Sequence, residues 1–216
     1  MSRFQKVAFT PGVKDVQSRL GSRDAYGRAE GKTAGDSPDA LGDEERAFLA
    51  ERDSFYLASV GEGGWPYVQH RGGPKGFVKV FDRHTLAFAD YRGNKQYISV
   101  GNIEHDDRVA LIFVDYPNRA RLKVLARASI VTGANDPEVI ELLSRPVGGA
   151  RIERAFVLRV EGYDWNCPQH ITPRYTVEEM ADAIAPIRAR IEALEEENRA
   201  LRAALASAAR DGGSVD

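Results

Sequence analysis

The sequence predicts an antiparallel β-barrel or sandwich with peripheral helices, followed by a long helix of different character. Three observations predict it. Six or seven short apolar runs rich in β-formers lie between residues 54 and 161, separated by turn residues. Only two helical stretches are inserted among them, whereas a doubly wound sheet needs a helix after almost every strand. From about residue 176 the composition turns to Ala, Glu, Arg and Leu, with no Gly before Gly212. At 216 residues the chain has room for one domain of ordinary size and a short appendage.

In chain order, residues 1–42 read as an arm lying over the domain. Val13, Val16 and Leu20 suit one short helix that Gly21 stops, and turn formers follow as far as Pro38. Asp43 opens a helix over 43–52, with Glu44 and Glu45 at its positive end. The expected strands are 55–60, 65–71, 76–81, 85–90, 108–116, 121–132 and 153–161. Gly61 to Gly64 joins the first two as a hairpin loop, and Pro117-Asn118 marks another turn. The inserted helices are expected at 94–104 and 136–145. The expected organisation is an arm at 1–42, the β domain at 43–175, a helix at 176–210 and a disordered end at 211–216.

Composition narrows the function classes. Hydrophobic residues make up 43% and charged residues 29%, which is globular composition. Thirty basic and 32 acidic residues leave a net charge of −2, against the basic excess of a non-specific nucleic-acid binder. The longest apolar run, Val109 to Val114, has six members where a membrane-spanning helix needs about 20. Met1 to Val7 shows no secretory pattern, so a cytoplasmic protein without membrane partners is expected. The single cysteine, Cys167, rules out an intramolecular disulfide, and Cys167 with His170 lacks the second ligand pair of a zinc site. No nucleotide-binding Gly-rich loop and no nucleophile elbow occurs.

The informative segment runs from Asp90 to Gln96, between a strand and a helix. Asn94 is placed to cap that helix, and Arg92 and Lys95 lie where its free N–H groups and positive dipole end point. Two cations, an amide and a helix N-terminus describe a site for a phosphate monoester. A solvated turn before a capped helix is the alternative on these residues alone.

The order of elements sharpens the reading. A strand with Pro66 to Arg71 is followed by a hairpin partner through Lys75-Gly76-Phe77, then by the strand, cationic turn and helix, then by Arg108 to Val114 and a strand carrying Arg121 and Lys123. Over about 45–165 this resembles the pyridoxamine 5′-phosphate oxidase-like family of FMN-binding split barrels. The ending from Asp164 and Trp165 to His170 is similar to flavin-nucleotide-binding relatives that are not the vitamin B6 enzyme. The resemblance implies that Arg92, Asn94, Lys95 and Gln96 hold the FMN phosphate and that Gln69, His70 and Arg71 line the flavin. It also implies polar contacts from Arg121 and Lys123 and a place for Trp165 near the isoalloxazine. A homodimer with FMN at its interface, passing a hydride or electrons to or from a small molecule through flavin N5, is the function it implies. A non-catalytic flavin-binding or sensing module and a haem-binding split barrel are the rivals. Residue by residue, Arg71 and Arg121 also read as surface strand charges, Trp165 as a core cap and His70 as a satisfied strand histidine. Two departures matter: residues 69–74 read Gln-His-Arg-Gly-Gly-Pro rather than an Arg-led aliphatic run, and the tail replaces the segment that closes the oxidase's substrate pocket.

In the tail, Ile184, Ile187, Ile191, Leu194, Asn198, Leu201, Leu205 and Ala208 recur at spacings of three and four, an a/d seam with Asn198 at an a position. Arg190 at g would face Glu195 at e′, and Glu197 would face Arg202, in a parallel coiled coil. A basic-region zipper is disfavoured because the residues before the seam are acidic. One amphipathic helix folded back on its own barrel is the alternative to pairing.

Overall fold

The computed structural model describes residues 2–30, 37–91, 93–144, 152–165 and 167–211. It divides into two compact units, 1–171 and 172–216. The first is built on seven strands: β1 (Ser54–Val60), β2 (Pro66–Gly72), β3 (Lys79–Val80), β4 (Thr85–Tyr91), β5 (Arg108–Asp115), β6 (Ala120–Val131) and β7 (Ile152–Trp165). They form one antiparallel sheet in the order β2-β1-β5-β6-β7-β4-β3. The sheet curls without closing, so β2 and β3 remain its edges and the architecture is a split barrel. Alternation decides which side chains go inside: Phe55 and Leu57 on β1, Leu111 and Phe113 on β5, Leu122 and Val124 on β6 are buried. Phe55 meets Phe88 of β4 edge-on at 5.1 Å, although β1 and β4 are not neighbours in the sheet. Contacts of this kind fill the barrel interior.

β4 is buried at five successive positions, Leu86 to Asp90. The cause is α6 (Pro137–Ser144), whose Leu143 packs with Ala87, Ala89 and Ala155 on the outer side. β3 is only two residues long, because Gly76 sits in a turn at φ 70° where an added Cβ would lie 2.9 Å from the Ala50 carbonyl oxygen. β7 runs on to Trp165, past the expected end at 161. Gly61 to Gly64 is the expected hairpin loop, with Gly61 N donating to the Trp65 carbonyl at 3.0 Å.

Among its described residues the arm holds three helices rather than one: α1 (Arg3–Ala8), α2 (Pro11–Arg19) and α3 (Arg23–Glu30). α1 is tied to β7 by one carboxylate. Asp39 accepts from the Arg3 and Phe4 amides at 2.9 and 3.1 Å and from the Tyr163 amide at 3.3 Å. It thereby satisfies N–H groups that open a helix and one from the strand beneath. The next helix, α4 (Asp43–Ala50), begins where expected, and Glu45 accepts from the Gly42 amide at 2.8 Å.

The inserted helix before β5 is α5 (Ile98–His105), four residues later than expected at its start. The second unit contains α7 (Val177–Asp211), opened by a Thr176 and Glu179 capping box: Glu179 N donates to Thr176 Oγ1 at 3.1 Å and Thr176 N to Glu179 Oε2 at 2.8 Å. The disordered end expected at 211–216 lies, from 212 on, outside the described residues. Among the described residues no helix is long and apolar enough to cross a membrane.

Candidate functional site

Curling of the sheet brings the inner face of edge strand β2 against the end of β4. Half-buried Tyr67, Gln69 and Arg71 alternate on that face, opposite exposed Val68 and His70. Arg71 crosses the split, its Nη1 donating to Asp90 Oδ1 of β4 at 2.7 Å. The register of β4 with β7 sets Asp90 opposite Arg154, whose Nε lies 3.3 Å from Asp90 Oδ2. Asp90 is 8% exposed and is thus held by two guanidinium groups. The Arg71 guanidinium also lies 4.9 Å from the Phe156 ring centre, and that of Arg154 lies 4.5 Å from Tyr97's. Two cations on one carboxylate leave positive charge over, and Arg71 Nε is buried with no hydrogen-bond partner.

Register shifts between Asp90 and Tyr91, the last residue of β4, and residues 93–97 then lead into α5. Asn94 does not cap α5, contrary to expectation. Its Oδ1 accepts from Gln96 N at 3.2 Å within the turn, and the N-cap is Tyr97, which makes no side-chain cap bond. The reason lies in the backbone: Lys95 (φ 61°) and Tyr97 (φ 54°) both adopt the left-handed region, delaying the helix. Each such residue costs about 1–3 kcal/mol. The opening N–H groups of α5 therefore have no side-chain cap. Buried Ser99 in the first turn donates from Oγ to Gln69 Oε1 at 2.7 Å, coupling the helix start to β2.

Together β2, the turn and α5 enclose a cavity of about 290 Å³. Of the residues expected from the sequence, Gln69, Arg71, Asn94, Lys95 and Gln96 line it. Burial pushes the phenol of Tyr91, another lining residue, above its ordinary value, keeping it a protonated donor. Arg92 lies outside the described residues.

The other expected residues are elsewhere. His70 points to the outer face of β2, edge-on to Tyr56 at 5.5 Å, because successive strand residues face opposite ways. Arg121 and Lys123 alternate with buried Leu122 and Val124 and so also face outward, opposite Val114 and Ile112 of β5. Lys123 lies 3.6 Å from Asp164 and 5.5 Å from the Phe4 ring centre, while Arg121 Nε is buried without a hydrogen-bond partner. Trp165 packs edge-on against Phe48 at 4.8 Å and donates to Glu45 Oε1 at 2.7 Å, a wall contact between β7 and α4. The sequence reading missed Asp90 and Arg154 as a pair, and also Tyr67 and Ser99. A lone carboxylate at the end of an otherwise apolar strand was the one signal for Asp90.

A sequence model described as pyridoxamine 5′-phosphate oxidase matches residues 41–160, more than half of the 216-residue chain. Among solved structures, HupZ of Group A Streptococcus shares 17% identity, with 62% of this chain and 99% of that one covered and a TM-score of 0.47. An FMN-binding protein from Syntrophomonas wolfei shares 12%, covering 56% and 83% at a TM-score of 0.45. HutZ, the haem storage protein from Vibrio cholerae, shares 20%, covering 58% and 94% at a TM-score of 0.39. No curated protein sequence matches the chain.

Proposed function

The chain belongs to the pyridoxamine 5′-phosphate oxidase family, and on that premise we propose that it is an FMN-binding oxidoreductase acting on a small molecule. The observation that carries the reading is the joining, in one cavity, of a cationic turn, a helix N-terminus without a side-chain cap and the inner face of β2. A phosphate monoester fits this donor set: Lys95 supplies charge, the opening amides of α5 supply N–H donors, and Arg71 keeps an unpartnered Nε. Asn94 and Gln96 add amides at the same turn. Strain at Lys95 and Tyr97 belongs with a preformed turn whose backbone faces a ligand. A cavity of about 290 Å³ is at the lower edge of small-molecule sites, so it would take the phosphate end, with the ring extending toward the sheet edge.

The flavin would supply hydride or electron transfer through its N5, the chemistry that side chains lack. The protein would bind and orient it, with Gln69 and Arg71 along the ring and the excess positive charge around Asp90 favouring a negatively charged reduced form. A homodimer is supported by the outer face of β1 and β2, where Tyr56, Val60 and Val68 are exposed.

The test is titration with FMN and with riboflavin. A charge-assisted contact to an ionised partner is worth roughly 1.5–3 kcal/mol, so Lys95→Ala is expected to weaken FMN binding about tenfold or more and leave riboflavin nearly unchanged. Equal losses for both ligands would overturn the phosphate assignment. A haem band rather than a flavin spectrum in the purified protein would overturn the cofactor.

A further inference from the structure

We propose that α7 pairs with the α7 of a second copy of this chain as a parallel, in-register, two-stranded coiled coil running from Val177 to Leu205. The helix is continuous over 35 residues, about 50 Å at 1.5 Å per residue. Its apolar side chains do not end at Ile184, where the spacing first made a seam legible. The capping box at Thr176 starts the helix early enough for Val177 and Met180 to continue the same a/d series by one heptad. Along this seam Val177, Ile187, Ile191, Leu194, Leu201 and Leu205 are between 45% and 87% exposed. A stripe of that length open to water calls for a cover. Pro186 falls at a c position, off the seam, and the helix passes through it without a break.

Charge and polarity choose the occupant. Asn198 is the one polar residue of the seam and sits at an a position, where two buried amides facing each other favour two parallel strands in register. The flanking g and e′ positions then match in sign: Arg190 with Glu195 and Glu197 with Arg202. In the antiparallel arrangement that sets Asn198 against Leu194, e faces e′ and g faces g′. Glu195 and Glu197 would then each meet their own counterparts and Arg188 would meet Arg202, all like charges. A second copy in parallel is thus favoured by the same residues that penalise the reverse orientation. This pairing is independent of the flavin reading.

The experiment uses the full chain in a Cys167→Ser background, which removes the single native cysteine. In parallel register Leu194→Cys places identical d positions within the Cα separation of about 4.4–6.8 Å that a disulfide needs, so mild oxidation should link the subunits. Glu196→Cys, at an f position on the far side of the helix, should stay unlinked. Chains carrying Leu194→Cys are also mixed with chains carrying Asn198→Cys. Preferential linkage of 194 to 198 would overturn the parallel arrangement, and no linkage at 194 would overturn the pairing itself. For the charges, Glu195→Arg with Arg202→Glu should reduce self-linkage through Leu194→Cys. Co-expression with a chain carrying Arg190→Glu and Glu197→Arg should restore it between unlike chains, and statistical linkage would overturn the charge argument. Each readout is electrophoretic and independent of bound flavin, so it can fail without touching the FMN titration.

Discussion

Asp90 carries two guanidinium groups at the seam of the split barrel, and its partners come from opposite sides: Arg71 from β2 and Arg154 from β7. The side chains of Arg71, Asp90 and Arg154 are 15%, 11% and 17% exposed, so removing the carboxylate leaves two largely buried charges uncompensated. Asp90→Ala is expected to cost about 3–5 kcal/mol, read as a fall in the denaturant midpoint; a cost below about 1 kcal/mol would refute the role. Asp115 is another buried carboxylate. Burial pushes its pKa up, yet donation from the Asn118 amide at 3.0 Å, from the Asn118 side chain and from Arg52 at 2.9 Å outweighs it, and the net shift is down from 3.8. A depressed folded pKa gives stability that is present above the unfolded value and is lost as pH falls through the folded one. Asp115→Asn is therefore expected to cost about 1–3 kcal/mol near neutral pH, and the gap between variant and parent should shrink below about pH 4. Denaturation of both proteins at the two pH values checks this, and a constant gap would contradict it.

At the level of elements, strand positions were readable to within a few residues because most of the strands carry their own alternation. Ser54–Val60 and Arg108–Asp115 bury every second residue, and that pattern is local. Helix starts were less legible. α5 begins at Ile98 rather than near Asn94, because two left-handed residues intervene and neither is a glycine that would have advertised them. The arm hid α1 because its docking depends on β7. A Cβ at Gly162 would stand 2.4 Å from Phe4 N and 2.7 Å from Phe4 Cα, backbone atoms that give way only if α1 lifts. Gly162→Ala is accordingly expected to destabilise by about 1–3 kcal/mol and to expose the N-terminal arm to limited proteolysis. An unchanged cleavage pattern would show that α1 does not depend on this contact.

At the level of the whole molecule, the family match stops at residue 160 and a separate unit begins at 172. That unit holds a capped helix with an exposed apolar seam. In the run from Gln69 to Pro74, Arg71 already donates to Asp90. Pyridoxamine 5′-phosphate is therefore expected to be turned over poorly even with FMN bound. Oxygen consumption with that substrate checks it, and turnover typical of a dedicated oxidase would overturn it.

What the sequence determined by itself is whatever depends on neighbours along the chain. That covers the strand and helix classes, the hairpin at Gly61 to Gly64, the cationic turn after β4 and the heptad series of the tail; of the ten residues the resemblance grouped, Gln69, Arg71, Asn94, Lys95 and Gln96 line one cavity. What only the tertiary structure decided is which face each residue occupies and what meets it across the split. His70 and Arg121 share the outer face of the sheet and Gln69 and Arg71 the inner one, since a strand sends successive side chains to opposite sides. Asp90 finds Arg71 because a curled, unclosed sheet sets β2 against β4, strands far apart in its order. No local pattern encodes that meeting; it arises from the twist and closure of the sheet as a whole.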